Sequence, residues 1–504
     1  MSVSNPAHRR SNVLTFENAN AQTHSGPKAA ARTTGLSTGI VIGLSAAVVF
    51  SALAFGSVEA WAIAVVESIG LLLIGLWIAE SIRARQIRLS IPTPLIPVAG
   101  LVCWGLIQSI AFKSGSGQRT SISLDVEASR VAVVSIFFLL VLALIAATFI
   151  NDRARLGRLA TFLAFYGLAL AVFALIQSFT WDGAFYWFRP TRAAGFGPFA
   201  NRDHFAGYME MLMPFPVALI ATRAIRGEQR FVYGFAAVMM VIATVASLSR
   251  GGMLSAAAEA AFVTLWALRA KRSSKESRLK STPSMDRQHV SRNRRPASGR
   301  TATLTAVLIV TMLTGVGALG ITWIGADPII NRATQTVTEI QEEAPNHISR
   351  QWIWSDTWEM IKAHPITGVG IGAYETVYPM FSHSNGRMIV AQSHNDYLQV
   401  IADCGIAGAV LMVLFLIALF RAMSGALRID DPQISAVALA CSAGLIGILV
   451  HSLFDFNLQI PSNALLFLFL TVMLSNLPAA ARRLRVAAPP RADREEPIPV
   501  FAGV

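Results

Sequence analysis

Charge is what this sequence has least of. Asp, Glu, Lys and Arg make up 14% of its 504 residues while 54% are hydrophobic, and an ordinary soluble domain carries nearly twice that share of charge. The scarcity argues against a soluble chain and for an integral membrane protein. Cysteine is also scarce: Cys103, Cys404 and Cys441 each lie inside an apolar run, which excludes a disulfide framework and any zinc-ligand spacing. No repeat of 20–50 residues is present, which excludes a solenoid. The basic segments lack interleaved aromatics, so the net charge of +13 does not call for a nucleic acid partner. No Asp-x-Asp or histidine cluster stands ready for a divalent ion, so neither a metal nor a cofactor is expected.

What the chain has in abundance is long apolar runs. About 18 such residues span the hydrocarbon core as a helix, and the runs at 36–56, 59–80, 91–111, 130–150, 157–178, 204–222, 231–249, 252–268, 302–324, 396–420, 433–454 and 461–479 predict an all-α fold of about 12 transmembrane helices. Basic residues set the orientation, because positive loops stay in the cytoplasm. They gather in the tail to 35, in SIRARQIR, NDRARLGR and TRAIRGEQR, in 421–432, after 480, and above all between 269 and 300, which holds eleven. Both termini are therefore expected inside, with the excess charge meeting anionic lipid. Ala52-Leu-Ala54 resembles a signal-peptidase site, but the polar tail before it is long for a signal peptide, so the first helix is expected to stay uncleaved.

Segments 1–35, 270–300 and 480–504 are rich in Ser, Pro and Arg and are expected to be disordered. Two long outside loops differ. Residues 179–203 and 325–395 mix aromatics, glycines and charges, as ordered structure lying on a bilayer would. In the second, ISRQWIWSDTWEMIKAHP sets Arg350, Trp354, Trp358 and Ile361 at helical spacing, which predicts an interfacial helix. GVGIG follows that helix instead of a strand, so it reads as a tight turn, not a nucleotide loop.

Four polar clusters fall at the predicted outer face. In SLSRGG, Arg250 occupies the turn of a helical hairpin; it either snorkels to ordinary headgroups or holds a phosphate, which small neighbours would let approach the backbone. In FRPTRAAGFGPFANRDH, Asn201 or Asp203 can cap the next helix, and Arg189, Arg192 and His204 beside a helix N-terminus suit an anion. Arg350 stands on the loop helix. In SHND, Ser393 or Asn395 can cap the tenth helix and leave His394 at its positive end, where the neutral, proton-accepting imidazole is favoured. Asp396 and Asp403, seven apart, share a face of that helix, and Gly405 and Gly408 suit close helix packing. No capping or chemical role accounts for Asp403.

At these residues the chain resembles the O-antigen ligase and polymerase family of bacterial membrane glycosyltransferases, often called Wzy-C. The matching pieces are SLSRGG at 247–252, HPITGVGIGAYE at 364–375 and HNDYLQVIADCGIAG at 394–408 behind a long outside loop. The resemblance implies a GT-C-like membrane domain over 36–479, in the bacterial inner membrane with its site facing the periplasm. It implies metal-independent transfer of a glycan from an undecaprenyl diphosphate carrier to an acceptor hydroxyl, on a glycan or on lipid A-core. By the same resemblance Arg250 holds the diphosphate, His394 activates the acceptor, and Arg192 and Arg350 match other family arginines in placement. Asn201, His204, Asn395 and Asp396 complete the expected substrate contacts. Where the family commonly has Glu, this chain has Asp403. A repeat-unit polymerase of the same family remains an alternative, as does a flippase of lipid-linked glycans, suggested by the helix count and by Glu67, Glu210, Glu259 and Asp403 within apolar runs.

Overall fold

In the computed structural model, the described residues are 13–15, 34–113, 119–191, 195–280, 350–383 and 389–487. Among them the chain is helical almost throughout. The helices are α1 (Gly35–Leu53), α2 (Ala60–Ala84), α3 (Leu95–Gln108), α4 (Val126–Phe149), α5 (Arg153–Phe179), α6 (Arg202–Leu212), α7 (Pro214–Ala221), α8 (Gln229–Ala246), α9 (Arg250–Lys280), α10 (Arg350–Ala363), α11 (Tyr374–Val377), α12 (Asp396–Ala426), α13 (Pro432–His451) and α14 (Pro461–Ala487). Sheet is confined to three short antiparallel pairs.

Side chains at the polar edges start the helices. Thr34 and Ser37 form a capping box on α1, and Asp125, Asp152 and Asp431 cap α4, α5 and α13 by accepting backbone N–H groups that have no partner within the helix. Nine described helices are long and apolar enough to cross a membrane. Three of the expected twelve spans come out otherwise. The run 91–111 yields only the 14 residues of α3. The run 204–222 is split into α6 and α7 at Pro214, which has no N–H to continue the ladder. The run 302–324 lies outside the described residues, as do 281–300, most of the first tail and 488–504. Helices α9 and α14 run on to Lys280 and Ala487, into stretches expected to be disordered.

Helices α13 and α14 form the centre. Of their apolar windows 78% and 72% are buried, against 22% for the outlying α2. Helix α13 packs on α5, α6, α7, α9 and α14, and α14 on α1, α4, α5, α6 and α12. The connection between them, 452–460, therefore emerges in the middle of one end of the bundle.

Helix α12 is broken, and the break accounts for Asp403. At Gly405 the backbone takes φ 60°, ψ −149°, a conformation essentially reserved for glycine. A Cβ there would run into the carbonyl of Ile366 and the amide of Gly368. The turn 365–372 docks into this gap: Val369 N–H donates to Ala402 O (2.9 Å), Gly370 N–H to Asp403 O (3.0 Å), and Ile406 N–H to Pro365 O (3.0 Å). Gln108 at the end of α3 donates to the carbonyls of both Asp403 and Thr367. The buried Asp403 carboxylate accepts from Gln399 (3.3 Å) and from Gly372 N–H (3.4 Å). Asp403 and the GVGIG glycines thus fasten the loop to the broken helix, and Gly405 packs against that loop.

Candidate functional site

Around the 452–460 connection four segments distant in sequence converge. Asn395 is the N-cap of α12, accepting from Tyr397 and Leu398 N–H, while its amide donates to Leu453 O at 3.0 Å. Just before it, His394 stands in the left-handed region at φ 52°, a conformation costly for a side-chain-bearing residue. Its Nδ1 lies 3.3 Å from Asp455 Oδ1. Arg350, the first residue of α10, reaches the other oxygen of Asp455 at 3.4 Å and Asp203 of α6 at 3.8 Å. Asp455 is 1% exposed, His394 29% and Arg350 42%, so a buried carboxylate holds two groups that remain open to a ligand. Burial pushes the Asp455 carboxyl up, but the His394 hydrogen bond and the His204, Arg350 and His394 charges outweigh it and hold it below the usual carboxylate range.

His204 joins the same cluster. Asn201 caps α6 by accepting Asp203 N–H (2.8 Å), and its amide lies 3.4 Å from His204 Nε2. The rings of His204 and His394 meet Phe456 edge-on from two sides, with centroids 4.7 and 4.8 Å away. Asn463 ties this helix to the connection by donating to His204 O (3.1 Å) and Asn457 (3.0 Å).

The SLSRGG turn reaches the cluster from α9. Ser247 and Ser249 are buried, with Ser247 Oγ donating to Thr244 O and Ser249 Oγ accepting Gly252 N–H. The glycines make room for protein: a Cβ at Gly251 would overlap the His451 imidazole, and one at Gly252 would overlap Ala206. Arg250, the first residue of α9, is half-buried.

The other expected residues are placed as follows. Asp396 is turned inward, its Oδ2 accepting from Ser452 Oγ (2.7 Å) and Leu458 N–H (3.1 Å). Arg189 pairs with Glu59 (2.6 Å) over the ring of Phe55. Arg192 lies outside the described residues. On α10 the buried face is Ile353, Asp356, Thr357, Met360 and Ile361, whereas Trp352 and Trp358 are exposed. The expected stripe of Arg350, Trp354, Trp358 and Ile361 is therefore divided: Ile361 packs inward and Trp358 faces out.

Sequence reasoning missed Asp455, His451 and Phe456, all in HSLFDFN, which begins at the last residue of α13. The available signal was a histidine and an aspartate four apart at the end of an apolar run, where ionisable groups are costly. Among the described residues, Asp203, His451 and Asp455 are the one group whose ligand atoms converge, all within 4.8 Å of one another. Arg350 already lies against both of those carboxylates and supplies the positive charge there.

The fold and this cluster define a multi-pass helical membrane protein whose histidine, carboxylate and arginine groups gather at one end of the bundle. Residues 235–413 match the family model of O-antigen ligase (Wzy_C). Comparison with curated proteins gives no match. The matched stretch holds the SLSRGG turn, Arg350 and His394, and ends before His451 and Asp455.

Proposed function

We propose that the protein transfers a glycan from a lipid diphosphate to an acceptor hydroxyl at the periplasmic face of the bacterial inner membrane, with inversion and without a metal. The observation that carries this reading is His394 held by Asp455 beside Arg350 at a helix start. With Asp455 taking the Nδ1–H, Nε2 is left to accept a proton. In the reaction the acceptor O–H gives its proton to Nε2 as the oxygen attacks the anomeric carbon. The bond from that carbon to the diphosphate oxygen breaks, and the electron pair leaves with the diphosphate. Charge grows on that leaving group, so arginines fixed beside it stabilise the transition state more than the ground state. Arg250 and Arg350 take that part, and Asp455 stabilises the positive charge His394 acquires. Losing one such arginine contact costs about 2–4 kcal/mol of barrier.

The lipid A-core ligase and repeat-unit polymerase forms of this reading share the donor site and differ in the acceptor. Flipping of the lipid-linked glycan is a competing reading, suggested by the buried Glu210 and Glu259. Against it, Glu210 is hydrogen-bonded to His451 next to the proposed site. The test is to supply purified protein with a lipid-linked oligosaccharide and an acceptor and to follow the new glycosidic bond. Wild type is expected to form it; His394→Ala and Arg250→Ala are expected to lose it. Full activity in both variants refutes the assigned roles, and lipid-glycan movement in proteoliposomes without bond formation favours flipping.

A further inference from the structure

Behind the cluster lies a second acid–histidine pair that the reaction above does not use. His451 Nδ1 is 2.9 Å from Glu210 Oε1, and their side chains are 1% and 0% exposed. Because Nδ1 is directed at Glu210, the other ring nitrogen faces the opposite way. The ring also neighbours the carboxylates of Asp203 and Asp455, with one ligand atom of each of the three residues inside 4.8 Å. A Cβ added at Gly251, next to Arg250, would overlap Nε2 of His451, so any side chain at 251 would displace the ring. His451 therefore lies beside each part on which the proposed transfer depends: the carboxylate that holds His394, the carboxylate pair that receives Arg350, and the turn that carries Arg250.

We propose that His451, locked by Glu210, is a positioning residue that sets the distance between the base side of the site, at Asp455, and the diphosphate side, at Arg250. The pair is too buried to meet substrate. Its effect is exerted through Asp455 and the Gly251 backbone, and it acts on how well the bound groups are aligned, not on whether they bind. A misplacement of about 1 Å in such an arrangement costs about 100-fold in rate. This inference rests on the transfer reading given above.

The experiment is steady-state transfer by the purified full-length protein, with lipid-linked oligosaccharide varied at saturating acceptor, and folding checked by gel filtration and thermal melting. His451→Ala and Glu210→Leu are expected to lower kcat about 100-fold while KM for the lipid donor moves less than about threefold. Glu210→Gln keeps an oxygen that accepts the Nδ1–H, and is expected to recover at least about tenfold of that loss. Gly251→Ala, which removes no buried group, is expected to lower kcat by displacing His451 and to cost nothing further in the His451→Ala background, where the overlap is gone. A folded His451→Ala with wild-type kcat overturns the inference, as does a loss expressed in KM alone. If His451→Ala does not fold, Gly251→Ala decides instead: unchanged kcat overturns the proposal. Wild-type protein that makes no glycosidic bond refutes the transfer reading; wild-type transfer with an unaffected variant refutes only the role of His451.

Discussion

Replacing Asp455 by Asn tests the site most directly, because it removes one charge and leaves the shape. The carboxylate makes two charge-assisted contacts, with His394 at 3.3 Å and with Arg350 at 3.4 Å. Such bonds are worth about 1.5–3 kcal/mol each, and both contacts are long, so the low end applies. Two of them give about 3 kcal/mol, which at 1.4 kcal/mol per decade is about 100-fold in kcat/KM. The amide also offers an N–H where the imidazole expects an acceptor, which favours the wrong tautomer of His394. Loss of turnover should therefore exceed loss of donor affinity. The assay is single-turnover transfer of a fluorescent lipid-linked glycan by purified protein. Stability supplies a control: since the carboxyl is held below its ordinary value near 4, its contribution is present above that pH and lost as pH falls further. The difference in melting between Asp455→Asn and wild type should be constant from about pH 5 to 8 and shrink only below about pH 4. Transfer by Asp455→Asn within about threefold of wild type would contradict the base assignment, since a base held by this carboxylate cannot lose it so cheaply.

Three further outcomes are expected. Gly405→Ala places a Cβ in a conformation reserved for glycine and against two backbone atoms of the docked turn, and should cost about 1–3 kcal/mol or more of stability, read as a lowered melting temperature; an unchanged melt would refute the broken helix. The hydrogen bond from His383 to Asp356 (2.7 Å) raises the pKa of this loop histidine, so its contribution is complete below about pH 6.5 and lost as pH rises through the raised value. Hydrogen exchange of residues 374–383 should then increase beyond the intrinsic rate as pH rises above about 6.5, and this excess should vanish in His383→Gln. Transfer should be unaffected by a chelator, because Arg350 supplies the cation between Asp203 and Asp455; inhibition by chelator that manganese or magnesium restores would show that these carboxylates and His451 hold an ion.

The helices were legible because spanning a bilayer leaves a mark in composition that no tertiary contact has to supply. Their interruptions were not. The run through 396–420 gives no sign of the break at Gly405, because a glycine in an apolar run looks alike whether it packs on a neighbour or turns the chain. Asp403 resisted explanation for the same reason. Its partners are Gly372, some thirty residues back in a loop, and Gln399, and both acquire meaning only when the loop docks. Capping was legible as a choice between Asn201 and Asp203 and between Ser393 and Asn395, and it falls to Asn201 and Asn395, where side chain and backbone lie two or three residues apart.

The same distinction governs the site. His394, Arg350, Asn201 and His204 stood out because polar residues at the ends of apolar runs are conspicuous singly, and the structure gathers them. What joins them is Asp455, 61 residues after His394. The expected span 433–454 takes in His451, and no role was expected of HSLFDFN. A lone histidine at a helix end carries no mark of the glutamate 241 positions earlier that fixes its ring. Polar groups that meet a ligand must stand at the surface and can be recognised one at a time. Those that hold them in place are buried, and burial is affordable only with a partner supplied by another helix. The supporting half of such a site is therefore hidden in any single sequence, and here it sits where α6, α9 and α13 meet.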